Sequence, residues 1–340
     1  MRVLVTGGTG FLGGHTAAAL VRNGHQVRVL ARDGAKVAPS MAAHGITAEV
    51  AEGDMCDAAA VADAVAGCGA VVHTAAEIAV GRRTDHTDDA NARGTRTVLD
   101  AALAAGCDPV VYAGSIMVHF PAEQSPVTVD SPMPEPISAY GASKRAAELV
   151  VRAAQDAGSP VISFSLGALY GPTSPHLEGS YAAVLGALDA FMLVPPGGIG
   201  LIDVRDAANL LARAVQPGTG PHRFMAGGRF VTWADWTALL GRAVGREVPH
   251  QRVSTEDLLA MGRSFDEQAA EGGGQAVLSE EAAQVMTCGA PTDDSGTQAA
   301  FGMAYRPLAQ TFADTVAYLR DLGRLAPERA ESPANDGGDP

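Results

Sequence analysis

The chain has 340 residues, 47% of them hydrophobic and 18% charged, which is enough apolar material for one large core or two sub-domains and too much for a disordered chain. Its formal net charge of −14 argues against a nucleic-acid or anionic-membrane surface, since both need a basic footprint. No run reaches the roughly 18 apolar residues of a membrane span, and Arg2 leads directly into a strand-like Val3-Leu4-Val5, unlike a signal peptide, so a cytoplasmic protein is expected.

From the N-terminus, short apolar runs alternate with helical stretches. Strands are predicted at Arg2-Val5, Gln26-Leu30, Thr47-Glu52, Ala70-Thr74, Pro109-Ala113 and Val161-Ser165. Helices are predicted at Gly13-Asn23, Ala58-Val65, Asn91-Ala105 and Tyr140-Ala157. This rhythm implies right-handed crossovers and an α/β fold, a doubly wound parallel sheet of the Rossmann type covered on both faces. Ligands bind such sheets at the carboxyl ends of the strands. After about residue 166 the rhythm breaks, and helices such as Trp233-Val244 and Leu308-Leu322 dominate. The expected division is a dinucleotide-binding domain over 1–165, a smaller, partly helical lobe over 166–325, and a disordered tail over 326–340. Leu201-Val204 reads as a strand returning to the sheet near 201–215, and residues 270–300 read as a mobile loop. The cysteines Cys56, Cys68, Cys107 and Cys288 lack zinc-type spacing, so no metal is expected and small buried thiols in a reducing compartment are.

Thr6-Gly7-Gly8-Thr9-Gly10-Phe11-Leu12-Gly13 follows the first strand and opens the first helix. Gly7 permits a tight turn, Gly10 lets backbone approach a pyrophosphate, and Gly13 lets helix pack on strand. The phosphates then lie on the helix N-terminus, where free N–H groups and the dipole favour anions. At the end of the second strand, Leu30-Ala31-Arg32-Asp33 lacks an acid at the position that binds the ribose of NAD. Arg32, helped by Lys36, suits a 2′-phosphate, so NADP is expected over NAD. The competing reading turns Arg32 to solvent and gives the ribose to Asp33. Asp54, followed by Met55, is read as a contact to the adenine amino group or as a helix N-cap. His73-Thr74-Ala75-Ala76 closes the fourth strand with small residues that let the chain pass close to a cofactor, and His73 itself reads as a satisfied strand-end histidine.

Tyr140-Gly-Ala-Ser-Lys144 puts a phenol and an ammonium four residues apart, on one face if the segment is helical. An ammonium beside a phenol lowers its pKa from about 10 and fits it for proton transfer.

With these pieces in order, the sequence resembles the extended short-chain dehydrogenase/reductases, which include nucleotide-sugar epimerases, dihydroflavonol reductases and 3β-hydroxysteroid dehydrogenases. The resemblance rests on Thr6-Gly13, Asp54, His73-Ala76, Asn91-Ala92-Arg93-Gly94-Thr95, Ala113-Gly114-Ser115, Tyr140-Lys144, Leu169-Tyr170-Gly171-Pro172 and Asp203-Val204-Arg205-Asp206. Within the family, Arg32 is similar to the arrangement of the dihydroflavonol-reductase branch. The resemblance implies that Tyr140 is the acid/base, that Lys144 tunes it and holds the nicotinamide ribose, that Ser115 holds the substrate oxygen, and that Asn91 supports the site. It also implies coenzyme contacts from Thr74, Ala75, Ala76, Met55, Leu166, Gly167 and Leu169, although Ser165-Leu166 stands where the family has Arg-Pro.

Departures from the family narrow the chemistry. Ile116-Met117 follows Ser115 where the dehydratases carry Asp-Glu, so dehydration is not expected. Pro195-Pro196-Gly197-Gly198 lacks the Arg that family members commonly carry there for a sugar nucleotide's pyrophosphate, and Arg229, Arg242 and Arg306 are the candidates to replace it. Ile116, Met117, Val118, Phe120, Phe191 and Met192 form an expected apolar pocket wall, suited to a ketone, aldehyde or steroid-like substrate. The leading expectation is therefore an NADP-dependent oxidoreductase interconverting a carbonyl and an alcohol on a small hydrophobic substrate. The alternatives are a nucleotide-sugar epimerase that retains NAD and a non-catalytic dinucleotide sensor. A homodimer through Asn91-Ala105 and Tyr140-Ala157 is expected from the same resemblance.

Overall fold

The computed structural model describes residues 1–77, 87–177, 179–272 and 278–325. Its first half runs β1 (Arg2–Thr6), α1 (Phe11–Arg22), β2 (Gln26–Ala31), α2 (Val37–Ala42), β3 (Glu49–Glu52), α3 (Ala58–Val65), β4 (Ala70–His73), α4 (Thr87–Ala104), β5 (Val110–Ser115), α5 (Ala139–Asp156) and β6 (Val161–Leu166). The second half runs β7 (Ala168–Tyr170), α6 (Ser180–Asp189), β8 (Met192–Val194), β9 (Gly198–Asp203), α7 (Val204–Arg213), β10 (His222–Ala226), β11 (Arg229–Thr232), α8 (Trp233–Val244), β12 (His250–Arg252), α9 (Thr255–Gly272), α10 (Glu280–Thr287), α11 (Ser295–Phe301) and α12 (Leu308–Asp321).

Seven parallel strands form the main sheet in the order β10-β6-β5-β4-β1-β2-β3. The chain leaves β1 toward β2 and β3, then returns past it to β4, β5 and β6. The crevice between β1 and β4 is the switch point where ligands bind such sheets. The central strands are apolar on both faces because both are covered. Val3 and Val5 face α1 and α7, whereas Leu4 faces α3, α4 and α5. Two helix starts show how sequence sets the boundaries. Asp57 accepts from Ala59 N and Ala60 N at α3, and Ser138 accepts from Gly141 N at α5.

The strand expected to return at Leu201-Val204 belongs instead to a separate three-stranded sheet, β11-β9-β7. The seventh strand of the main sheet is β10. Its His222-Arg223 opening reads as polar because β10 is an edge strand, where Arg223 reaches Gln155 and Asp156 of α5. The described residues of 270–300 are mostly helical rather than loop. Their Ser and Asp residues sit at helix ends, and Ser279 accepts from Ala282 N to start α10. Residues 273–277, and the expected tail over 326–340, lie outside the described residues.

The second half has its own core, built on Tyr170, Tyr181, Trp236 and Phe312. Full burial of such side chains contributes about 1.5–3 kcal/mol each. Trp236 Nε1 donates to the Tyr170 hydroxyl at 3.1 Å, and the Tyr170 ring stacks on Phe312. The two sheets meet backbone to backbone. A Cβ added at Gly167 would lie 2.1 Å from Gly227 O, and Gly228 presses equally closely on Leu201 at φ +83°.

Candidate active site

The glycine loop lies at the switch point. Gly7, at φ +72°, abuts the chain leaving β4, where an added Cβ would stand 2.7 Å from Ala75 N. Thr74 Oγ1 donates to Thr6 O at 2.7 Å, and Ala75 N donates to Thr6 Oγ1 at 3.3 Å, so β1 and β4 are pinned at this point. Gly13 packs on Gly7 and Gly8, whereas a Cβ at Gly10 would meet only Gly7 O, at 3.2 Å. No side chain caps α1. The first amides of that helix, at Phe11, Leu12 and Gly13, therefore lack intrahelical acceptors and suit an anion. Thr9 is partly exposed in the loop, while the Phe11 ring turns away to meet Tyr181 edge-on. An open glycine backbone leading into an uncapped helix fits a dinucleotide pyrophosphate.

Arg32 stands just past β2 with its side chain 72% exposed, and its Nη1 lies 3.5 Å from Glu77 Oε1. Asp33 is engaged locally. It accepts from Ala35 N and lies 3.7 Å from Lys36 Nζ. Asp54 accepts from Cys56 N at 2.8 Å, and the cap of α3 is Asp57, which corrects the reading of Asp54 as an N-cap. Met55 packs on Gly94 of α4.

Across the switch point, Ser115 ends β5 in register with Leu166, the last residue of β6, so Gly167 and Leu169 of β7 follow beside it. The Ser115 hydroxyl accepts from Met117 N at 3.2 Å and lies close to Tyr140, the second residue of α5. Burial raises the Tyr140 pKa, and the Ser115 side chain opposes that rise. Lys144 Nζ donates to Ala113 O at 3.2 Å and lies 5.5 Å from the centre of the Tyr112 ring. Lys144 is 6% exposed, and burial lowers it to about 8 against the attraction of Glu148. Asn91 sits inside α4 rather than at its end. Its Oδ1 accepts from Glu77 N at 2.8 Å, and its Nδ2 donates to Glu77 O at 2.9 Å and to Ser143 Oγ at 2.5 Å. It thereby ties the chain after β4 to α5 between Tyr140 and Lys144. His73 is held between Thr6 Oγ1 and Thr95 Oγ1, and burial lowers it to about 3, so it is a satisfied neutral imidazole.

The six expected wall residues do not form one surface. Ile116 and Phe120 share an apolar cluster with Val127 and Met225, joined by Met117, and Val118 is buried close by in the chain. Met192 packs into the core of the second half, and Phe191 is 50% exposed. Met192–Val194 form β8, paired with β12. Two acidic residues were missed from sequence. Glu281 of α10 accepts from Ala139 N at 2.8 Å, beside Tyr140, through a contact 142 residues apart that no local pattern encodes. Glu148 is buried one turn beyond Lys144, at a spacing that was readable.

A dinucleotide cradle at the switch point, with Ser115, Tyr140 and Lys144 gathered beside it, defines an NAD(P)-dependent enzyme of the short-chain dehydrogenase/reductase type. Residues 3–227 match the NAD dependent epimerase/dehydratase family, and the chain belongs to that family. Among curated relatives, sterol demethylase protein B of Methylococcus capsulatus is 27% identical over 96% of this chain and 100% of that protein. The 2-alkyl-3-oxoalkanoate reductase of Stenotrophomonas maltophilia is 35% identical over 52% of this chain and 53% of its own length. Among solved structures, a UDP-glucose-4-epimerase from Stenotrophomonas maltophila with bound NAD and formylated UDP-arabinopyranose shares the fold, with a TM-score of 0.77, 21% identity, and coverage of 96% of this chain and 100% of that one.

Proposed function

We propose that this chain is an NADP-dependent oxidoreductase that interconverts a carbonyl and an alcohol on a small hydrophobic substrate. The observation that carries the reading is the Ser115–Tyr140 hydroxyl pair bordered by the apolar Ile116–Phe120 cluster. Ile116-Met117 puts no carboxylate after Ser115, which disfavours dehydration. Two relatives, a sterol demethylase protein and a 2-alkyl-3-oxoalkanoate reductase, support the same substrate class.

The coenzyme would rest on Gly7–Gly13, with Thr74–Ala76 and Met55 beside it, Lys144 at its ribose, and Leu166, Gly167 and Leu169 along its nicotinamide side. When bound, it supplies or accepts the hydride. Ser115 and Tyr140 orient the substrate oxygen from two sides. In reduction the carbonyl carbon gains the hydride, its oxygen takes the Tyr140 hydroxyl proton, and the product is the alcohol. Burial keeps Tyr140 in its acid form at neutral pH, which favours the reductive direction there. The lobe over 166–325 would close the substrate side, and four free thiols suit a cytoplasmic setting.

Coenzyme choice is read by fluorescence titration. NADPH is expected to bind more tightly than NADH, and Arg32→Ala to weaken NADPH about tenfold, the equivalent of one charged hydrogen bond, with NADH unchanged. Tighter NADH binding with no effect of Arg32→Ala would reverse the assignment. A homodimer through α4 and α5 is part of the same reading, because Leu149 on α5 is 48% exposed while Ala102 and Ala147 are buried against the sheet. Light scattering should give about twice the 34.6 kDa chain mass, and a monomer at working concentration rejects this interface.

A further inference from the structure

The chain leaving β4 brings a carboxylate to the very residue assigned to the coenzyme's 2′-phosphate. Glu77 follows Thr74-Ala75-Ala76, and its Oε1 lies 3.5 Å from Arg32 Nη1. The pair links the segments that leave β2 and β4, the two strands flanking β1 in the sheet. The main chain at Glu77 is fixed. Asn91 of α4 accepts from Glu77 N at 2.8 Å through Oδ1 and donates to Glu77 O at 2.9 Å through Nδ2. Just before it, Thr74 Oγ1 donates to Thr6 O, and Ala75 N donates to Thr6 Oγ1. The segment is therefore tied to β1 at one end and to α4 at the other. Rotation of the two side chains, not movement of the backbone, is what parts Glu77 from Arg32.

The charges nearby are otherwise engaged. Asp33 accepts from Ala35 N and lies 3.7 Å from Lys36 Nζ. Glu52, at the end of β3, faces Gly34, where an added Cβ would lie 2.9 Å from its Oε2. Among the described residues, Glu77 is the one carboxylate paired with Arg32. With side chains 72% and 41% exposed, the pair is weak and opens readily, so its importance lies in its place. A 2′-phosphate that takes Arg32 has to displace Glu77, and it sets about two negative charges beside a third. A 2′-hydroxyl adds no charge and can donate to a carboxylate.

We propose that Glu77 is a specificity-determining residue that limits how far NADPH is favoured over NADH, by occupying Arg32 in the free protein and repelling the 2′-phosphate in the complex. Coenzyme choice is then set by a pair drawn from two strand ends rather than by the end of β2 alone. This rests on the assignment of Arg32 in the proposed function.

Fluorescence titration of wild type, Glu77→Gln, Glu77→Asp and Arg32→Ala with NADPH and with NADH tests it by binding alone, with no substrate or turnover. Glu77→Gln is expected to raise the preference for NADPH over NADH about fivefold, the equivalent of one exposed ion pair removed. NADPH should bind more tightly, and NADH equally or more weakly. Glu77→Asp keeps the charge and should fall between wild type and Glu77→Gln. A rise of about twofold or more in Glu77→Gln supports the proposal, and a smaller one overturns it. A Glu77→Asp preference equal to that of Glu77→Gln also overturns it, since the effect then belongs to the shape of the segment and not to its charge. An Arg32→Ala variant that binds NADPH like wild type overturns the coenzyme reading together with this one. Loss of NADPH affinity in Arg32→Ala without any rise in Glu77→Gln overturns this one alone.

Discussion

Tyr140→Phe is expected to lower turnover about a thousandfold or more while NADPH binding stays within about twofold of wild type. The substitution keeps the ring and its packing and removes one hydroxyl, the group that faces Ser115. General acid catalysis contributes about 10²–10⁴, and the ordering of the carbonyl by two hydroxyls is lost with it. Stability should change by only about 1 kcal/mol, the net worth of one hydrogen bond. Absorbance of the nicotinamide with a ketone that wild type reduces checks the first part, and fluorescence titration checks the second. Retention of a tenth of wild-type turnover would remove Tyr140 from the acid/base role. The pH profile carries the same information. Because burial raises Tyr140, reduction should hold across neutral pH and decline only as the phenol titrates in alkali, while alcohol oxidation should climb over that range.

Gly13→Ala is expected to abolish coenzyme binding and to lower stability by about 3 kcal/mol or more, at the upper end for overpacking. The added Cβ would lie 2.1 Å from Gly7 O, 2.6 Å from Gly7 C and 2.8 Å from Gly8 Cα. All three neighbours are backbone, so no side-chain rotation relieves the clash and the loop that cradles the phosphates has to move. Gly186→Ala in α6 is the matched control. Nothing lies within 4 Å of that position, and alanine in a helix is favoured over glycine by up to about 1 kcal/mol. Thermal unfolding with and without NADPH separates the two effects. If Gly13→Ala retains both the melting temperature and the coenzyme-induced rise of wild type, the third glycine is not a packing requirement.

The first half was legible in sequence because its rules are local. Apolar runs such as Val3-Leu4-Val5 can only be central strands of a covered sheet, Asp57 and Ser138 mark helix starts, and Gly13 packs within its own loop on Gly7 and Gly8. The second half was less legible because its determinants are distant. β10 opens on polar residues and gains its partners for Arg223 only from α5, and Met192 reads like a pocket residue although it packs against the core of the second half. At the site, spacing shows that an ammonium and a phenol share a face of α5. It does not show that the ammonium donates to the Ala113 carbonyl.

The position of β10 bears on how the protein could be recombined. The main sheet is completed by residues 222–226 and covered by α7 at 204–213, so its strands and helices come from two separate stretches of chain. A single crossover near residue 165 would strand β6 as a raw edge and strip α1 of its partner helix. A chimera that borrows another enzyme's specificity therefore needs paired splices, exchanging the stretch after β6 and the stretch after β10 together. Even then, the donor must bring small residues to Gly167, Gly227 and Gly228, because the seam between the sheets leaves no room for a side chain.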